Sequence, residues 1–270
     1  MKCSLPHILF FAATIMTMTF ISGCASPQVA PAPVKFRVMT YNIQHGAGAD
    51  HVIDLQRTAD AIKHEHPDIV ALEEVDKGVE RTSRRDLTKE LAALTGMTGY
   101  FNNNFHFQGG EYGNAILTRF PILQSTNTHY HMLRPKEQRG IIQLILDING
   151  CRVLFMTTHI DYRKDNAERL MNVNQIKDII KQYPDMPMIL CGDFNDFPSG
   201  AVYAEMRKAF DDTWELVGQG DGLTFPSPDP KQRIDYIWIS PDKSIVPIKA
   251  WVPDTQASDH RPFVADFELK

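Results

Sequence analysis

The chain has 270 residues, of which 43% are hydrophobic and 23% charged, and its formal net charge is −5. Length and apolar content support a sizeable core and exclude a disordered chain. The acidic balance argues against a protein that grips long nucleic acid by phosphate neutralisation alone, although bound metal would cancel several of the acids.

At the N-terminus, Lys2 precedes the apolar stretch from Ile8 to Ile21, which closes on Ile21-Ser22-Gly23-Cys24. The stretch contains Thr14, Thr17 and Thr19 and falls short of the roughly 20 apolar residues that a membrane span needs. It resembles the signal segments of bacterial lipoproteins, which implies cleavage before Cys24, lipid on its thiol and acyl chains on its amine. The expected organisation is a signal peptide over residues 1–23, a lipid site and Pro-rich tether over 24–33, and one domain over 34–270. Two or more acyl chains on one residue would hold the protein to a membrane, at the periplasmic face of a bacterial envelope.

Within the body, Phe36 to Tyr41 reads as a strand, Asp54 to Glu65 as a helix presenting Leu55, Ala59 and Ile62, and Asp68 to Leu72 as a buried strand. That is a β-α-β unit. A second helix follows from the cap Asp86 through Leu87, Leu91 and Leu94 to the stop Gly96. Gly113 to Thr118 and Gly140 to Ile148 read as strands, and Asn149-Gly150 makes a hairpin turn into Cys151 to Thr158. Asp165 with Glu168 resembles a capping box for a helix carrying Leu170, Val173, Ile176 and Ile180, which leads into the strand Met188 to Cys191. A short helix from Ser199 and strands at Ile234 to Ile239 and Pro262 to Leu269 complete the chain. Mixed strand directions with helices at both ends imply two packed sheets covered by helices.

Of four cysteines, Cys3 leaves with the signal and Cys24 carries lipid, so Cys151 and Cys191 remain. Cys151 opens one strand and Cys191 closes another. If the strands are parallel, the sulfurs stand roughly 25 Å apart, and two free, buried thiols are expected.

Polar clusters follow or precede the apolar runs. They are Tyr41-Asn42, Glu73-Glu74, Thr158-His159-Ile160-Asp161, Cys191-Gly192-Asp193-Phe194-Asn195-Asp196 and Ser258-Asp259-His260. Oxygen ligands with two histidines suggest a hard metal ion and phosphate chemistry. Either Glu73 or Glu74 can face an ion, because adjacent side chains on a strand point opposite ways. Asn42 offers a neutral oxygen or forms a turn. Asp193 can activate water while Asn195 binds the charge developing on phosphate. His159 and His260 have candidate carboxylate partners in Asp161, Asp235 and Asp259. His45 and His51 lie near Asn42. Arg139 either holds a phosphate oxygen or pairs with Glu137.

In chain order, Thr40-Tyr41-Asn42, Ala71-Leu72-Glu73-Glu74-Val75, the segment from Tyr112 to Arg119, Thr158-His159-Ile160-Asp161, Gly192-Asp193-Phe194-Asn195, Arg233-Ile234-Asp235-Tyr236-Ile237 and Ser258-Asp259-His260 resemble the motifs of the endonuclease/exonuclease/phosphatase superfamily. The resemblance implies an α/β four-layer sandwich, two mixed β-sheets face to face with helices on both outer faces. It further implies Glu74 as principal metal ligand, with Asn42 and Asp259 completing the surroundings of Mg2+ or Mn2+. Asp193, Asn195, His159 and Arg139 would handle water and phosphate, and Asp235 would orient His260. Either Asp193 or His260 would be the base. The family pattern usually has Gln where this chain has Glu73, a departure that adds a negative charge near the site.

The expected activity is hydrolysis of a phosphodiester, nuclease-like, or of a related phosphoester. The alternatives are a phosphatase or phospholipase C-like enzyme on a small phosphoester or lipid head group, and a non-catalytic lipoprotein that binds a phosphorylated ligand. A monomer is expected. The arginines at 81, 84, 85, 134 and 139 with Lys136 form two small clusters, not a long basic track.

Overall fold

Alternation along the central strands divides their side chains between two faces, and both faces are buried. The computed structural model describes residues 33–134 and 136–270. The expected signal segment, the lipid site Cys24 and the tether up to Ala32 lie outside the described residues.

One sheet contains β1 (Val34–Asn42), β2 (Ile69–Lys77), β3 (Thr98–Phe107), β4 (Gly110–Thr118), β11 (Ile245–Trp251) and β12 (Phe263–Leu269), in the order β11-β12-β1-β2-β4-β3. The other contains β5 (Ile122–His129), β6 (Gly140–Ile148), β7 (Cys151–His159), β8 (Met188–Asp193), β9 (Asp211–Asp212) and β10 (Asp235–Ile239), in the order β5-β6-β7-β8-β10-β9. The pairs β1/β2 and β7/β8 are parallel, and the remaining pairs are antiparallel. Both β-α-β crossovers expected from periodicity are present.

Three apolar layers hold the sandwich together. Between the sheets, Val38, Ala71, Phe155, Ile189, Ile237 and Phe267 pack with their neighbours. On the outer face of the first sheet, α1 (Leu55–Glu65) and α2 (Leu87–Thr95) bury Leu55, Ala59, Ile62, Leu87 and Leu91 against Met39, Val70 and Leu72. On the opposite face, α3 (Ala167–Ile180) and α4 (Ala201–Met206) cover Leu154, Met156, Leu190 and Trp238. A short α5 (Thr213–Val217) sends Trp214 into the layer between the sheets.

Helix ends follow the expected chemistry at α1 and α2. Asp54 accepts from the backbone of Gln56 and Arg57, Asp86 accepts from Lys89, and Gly96 closes α2 in a left-handed conformation. Leu94, expected on the buried face of α2, is 36% exposed. The capping box at Asp165 does not form. Glu168 is fully buried and accepts instead from the Leu133 amide at 3.0 Å and Arg163 at 3.3 Å, because a guanidinium and an amide from outside the helix outcompete its own N-terminus.

Both cysteines are free, but Cys151 is exposed while Cys191 is buried. Cys151 follows the tight turn at Asn149 and Gly150, where β7 has not yet entered the covered layers. Strands β3, β5 and β11 lie outside the sequence reading. All three run at or near sheet edges, are rich in polar residues or contain Pro247, and need no strict alternation there.

Gly192 sets the approach of β7 to β8. Its φ is +144°, and a Cβ there would lie 1.8 Å from the carbonyl oxygen of Thr158. Gly192→Ala is therefore expected to destabilise the fold by at least about 2 kcal/mol, read as a lowered urea midpoint.

Candidate active site

The layer between the sheets is apolar along most of its length and polar at one end. Along β1 the inward row runs Val38, Thr40, Asn42; along β2 it runs Ile69, Ala71, Glu73; along β8 it runs Ile189, Cys191, Asp193. Strand register then sets the polar residues side by side. His159 of β7 pairs with Asp193 of β8, which pairs with Asp235 of β10. Across the layer, Asn42 pairs with Glu73.

A bulge separates the two adjacent glutamates. Between Leu72 and Val75 the β2/β4 register shifts, and Glu74 takes a left-handed φ of +59°. Glu73 stays in the layer, fully buried, where its Oε1 accepts from Thr157 Oγ1 at 2.7 Å and from Thr40 Oγ1 at 3.4 Å. Burial pushes its carboxyl well above the usual range, which favours the protonated form over the charged one. Glu74 instead lines a cavity of about 400 Å3 with Arg139, His159, Asp193, Asn195, Asp259 and His260.

Behind that cavity lies a continuous polar network. Asn42 Nδ2 donates to Glu74 Oε1 and to Asp193 Oδ2, both at 3.2 Å, while its Oδ1 accepts from the amide of Gln44. Asp193 Oδ1 accepts from the Asn195 amide at 2.9 Å, an Asx turn that leaves Asn195 in a left-handed conformation. The Asn195 side chain donates to His159 Nε2 at 3.1 Å and to the Ile160 carbonyl at 3.3 Å. Arg169 of α3, which the sequence reading did not single out, binds the Asn195 carbonyl and holds that turn.

Asp235 is the carboxylate that meets a histidine. His260 Nδ1 donates to Asp235 Oδ2 at 2.9 Å, and Thr224 donates to the same oxygen. Asp161 turns away to Arg163 at 3.1 Å, and Asp259 accepts from Ser258, so neither partners an imidazole. His45 and His51 do not line the cavity. Burial, helped by Arg81, pulls His45 down to about 4.

Burial alone would lower the pKa of His260, but Asp235, with help from Asp193 and Asp259, raises it to about 10. Asp193 moves up to about 7, first through burial and then through Asp235, against the pull of His260. Its Oδ2 lies 3.7 Å from His260 Nε2 and 3.5 Å from His159 Nε2. His159 is pushed well below its usual value by burial and by Arg139, and it is neutral.

Arg139 is 3% exposed and makes the expected pair with Glu137. Its Nη2 pairs with Glu137 at 3.0 Å, while Nη1 is buried without a protein partner. A buried guanidinium nitrogen left open beside a cavity is a site for an anionic oxygen.

Two donor sets suit a divalent cation. Asp193, Asp235 and His260 present ligand atoms within 4.8 Å of one another. A ligating histidine must be neutral, however, and His260 is held protonated by its carboxylates. Glu74, Asp259 and Asn42 form the second set, all oxygen-bearing. Burial raises the Glu74 pKa and Asp259 raises it further, as expected of a carboxylate short of a cation.

The His260–Asp235 pair stabilises the fold fully below the ordinary histidine value near 6.5, and this contribution is lost as pH rises through about 10. In Asp235→Asn, burial should dominate and His260 should titrate several units lower, measured from its Cε1 proton by NMR in the presence of chelator.

The model of the Endonuclease/Exonuclease/phosphatase family matches residues 39–260. The chain is 26% identical over 251 residues to YbhP, an uncharacterized protein of Escherichia coli, covering 87% of this chain and 97% of that one. It is 21% identical over 193 residues to a 5'-tyrosyl-DNA phosphodiesterase of Caenorhabditis elegans, covering 70% of this chain and 50% of that protein. Its fold is similar to that of a mannosyl-6-phosphatase of Bacteroides thetaiotaomicron, with a TM-score of 0.72 and 17% identity over 86% of this chain and 99% of that one. Members of this family are metal-dependent hydrolases of phosphoester bonds. With two six-stranded mixed sheets and a family match across most of its length, this chain belongs to the Endonuclease/Exonuclease/phosphatase family.

Proposed function

We propose that the protein is a Mg2+-dependent phosphodiesterase, with Mn2+ able to replace Mg2+, acting by in-line attack of water. The observation that carries this reading is the juxtaposition, in one cavity, of the Glu74 and Asp259 carboxylates with the open Arg139 nitrogen, His159, Asn195 and the charged His260–Asp235 pair. Glu74, Asp259 and Asn42 would hold the metal, which when bound supplies positive charge against the phosphate and leaving oxygens. Arg139 would donate to the phosphate oxygens, and Asn195 would join it by turning its amide from His159, whose neutral ring adds no charge.

The same pKa pattern divides the proton work. Asp193, near 7, accepts a proton from the attacking water, and His260, near 10, enters the reaction as an acid and charge stabiliser. Charge around the cavity favours a diester over a monoester. Arg81 and Arg139 are each paired with a carboxylate, so little cationic charge is left over for a dianionic phosphate. The surrounding arginines are also paired, Arg85 with Glu90 and Arg134 with Asp165, which speaks against a duplex-gripping track.

Lipidation at Cys24 and a place at the periplasmic face of the envelope are part of the proposal. The tether would join the fold at Val34, the end of β1 opposite Asn42 and about 25 Å from it. That distance favours a soluble substrate over a lipid head group in the same membrane.

Purified protein should hydrolyse bis-p-nitrophenyl phosphate in Mg2+ and stop in chelator, with p-nitrophenyl phosphate turned over more slowly. Chelator-insensitive turnover would sink the proposal. Glu74→Ala and His260→Ala should each lower kcat/KM about 100-fold or more. The profile of kcat/KM should rise as pH passes about 7, where Asp193 loses its proton, and fall toward 10, where His260 loses its own. In a bacterial host, Cys24→Ala should abolish palmitate labelling and release the protein from the membrane fraction.

A further inference from the structure

Three aromatic rings cluster on one wall of the cavity. Phe105 and Phe107 of β3 and Tyr112 of β4 line the cavity beside Glu74, yet none of them belongs to the three apolar layers of the sandwich. They pack on one another, with ring centroids 5.1 Å apart for Phe105 and Tyr112 and 6.0 Å apart for Phe105 and Phe107. Phe105 and Phe107 remain partly exposed, so their faces are available to a ligand.

Arg81 completes the surface. Its guanidinium lies 4.9 Å from the centre of Phe107 and 5.5 Å from that of Tyr112. Two bonds of 2.8 Å to the fully buried Asp76 fix its plane and neutralise its charge. A neutralised, immobile guanidinium among aromatic rings is a poor anion site. It is a good stacking platform, because flat π surfaces and an arginine plane gain from contact with another flat ring whatever that ring's hydrogen-bonding edge. The phosphate donors Arg139, His159 and Asn195 line the same cavity. A substrate with its phosphorus among them therefore has one ester group within reach of the wall.

Resting on the phosphodiesterase reading above, we propose that Phe105, Phe107, Tyr112 and Arg81 form a subsite for a planar aromatic group carried on the substrate phosphate. Two sources share that chemistry, a nucleobase and an aryl ester. Two other aromatic residues line the cavity, and each already serves a polar group: Phe225 lies tilted against the His260 ring with centroids 4.7 Å apart, and the Tyr162 ring centre lies 5.7 Å from the Arg139 guanidinium.

The test is calorimetric binding to the full chain in Mg2+, with ethyl phosphate, phenyl phosphate and thymidine 5'-monophosphate as probes. Both aromatic probes should bind about tenfold or more tightly than ethyl phosphate. That ratio should fall to within about twofold in Phe107→Ala and in Phe105→Ala, and should survive in Phe107→Trp. Preference for phenyl phosphate alone would assign the subsite to aryl esters, and preference extending to the nucleotide would assign it to nucleobases. Equal affinity for all three probes, or an aromatic preference unchanged in both alanine variants, overturns the subsite while leaving the phosphodiesterase standing. Failure of every probe to bind while bis-p-nitrophenyl phosphate is still hydrolysed would overturn the subsite alone, and failure of binding together with loss of that hydrolysis would overturn both.

Discussion

Buried negative charge at the polar end of the layer between the sheets is the constraint from which the site follows. Glu73, Asp193 and Asp235 are buried there with Glu74 and Asp259 half-buried beside them, and a carboxylate removed from water costs several kcal/mol unless it is protonated, paired or bound to a cation. The site meets this cost in different ways. Burial favours the protonated form of Glu73, which accepts from Thr157, Asp235 is paired with His260, and Glu74 with Asp259 faces the cavity. Asp193 stands between the solutions, close enough to neutrality to exchange a proton during turnover.

This division depends on backbone geometry more than on the identity of the acids. Glu73 and Glu74 are chemically alike, and only the bulge in β2 sends one into the layer and the other into the cavity. Holding Glu74 at a positive φ costs about 1–3 kcal/mol, which the surrounding strands β1 and β4 must offset. Gly192 has the complementary role. By letting β8 close on Thr158, it brings Asp193 level with His159 and Asp235.

Central strands announce themselves in the sequence because both their faces are buried, so an apolar run breaking into polar residues marks a strand tip. Asn42, His159 and Asp193 were legible for that reason. The bulge was not, since spacing carries no sign of where a ladder slips, and the family resemblance, not the local pattern, pointed to Glu74. Pairing of His260 with Asp235 instead of the adjacent Asp259 depends on β10 lying beside β8, a long-range fact. Edge strands β3 and β5 were hidden by their polar content, and β11 by Pro247. With β3 went any view of Phe105 and Phe107 as part of a site.

That contrast between centre and edge bears on how such a scaffold changes substrate without changing its chemistry. Asn42, Glu74, His159, Asp193 and Asp235 sit on strands paired on both sides, where a shift of one residue would turn every inward side chain outward. Their geometry is over-determined. Phe105 and Phe107 lie on β3, an edge strand paired only with β4, and these two side chains touch the cavity without joining the apolar layers that Tyr100 and Phe101 of the same strand pack against. Under the proposed subsite, substitutions there would alter what the cavity accepts at little cost to the fold. Arg81 lies between these regimes, on a short 3-10 helix (Glu80–Thr82) but clamped by the buried Asp76, so its plane is fixed beside Phe107 and Tyr112.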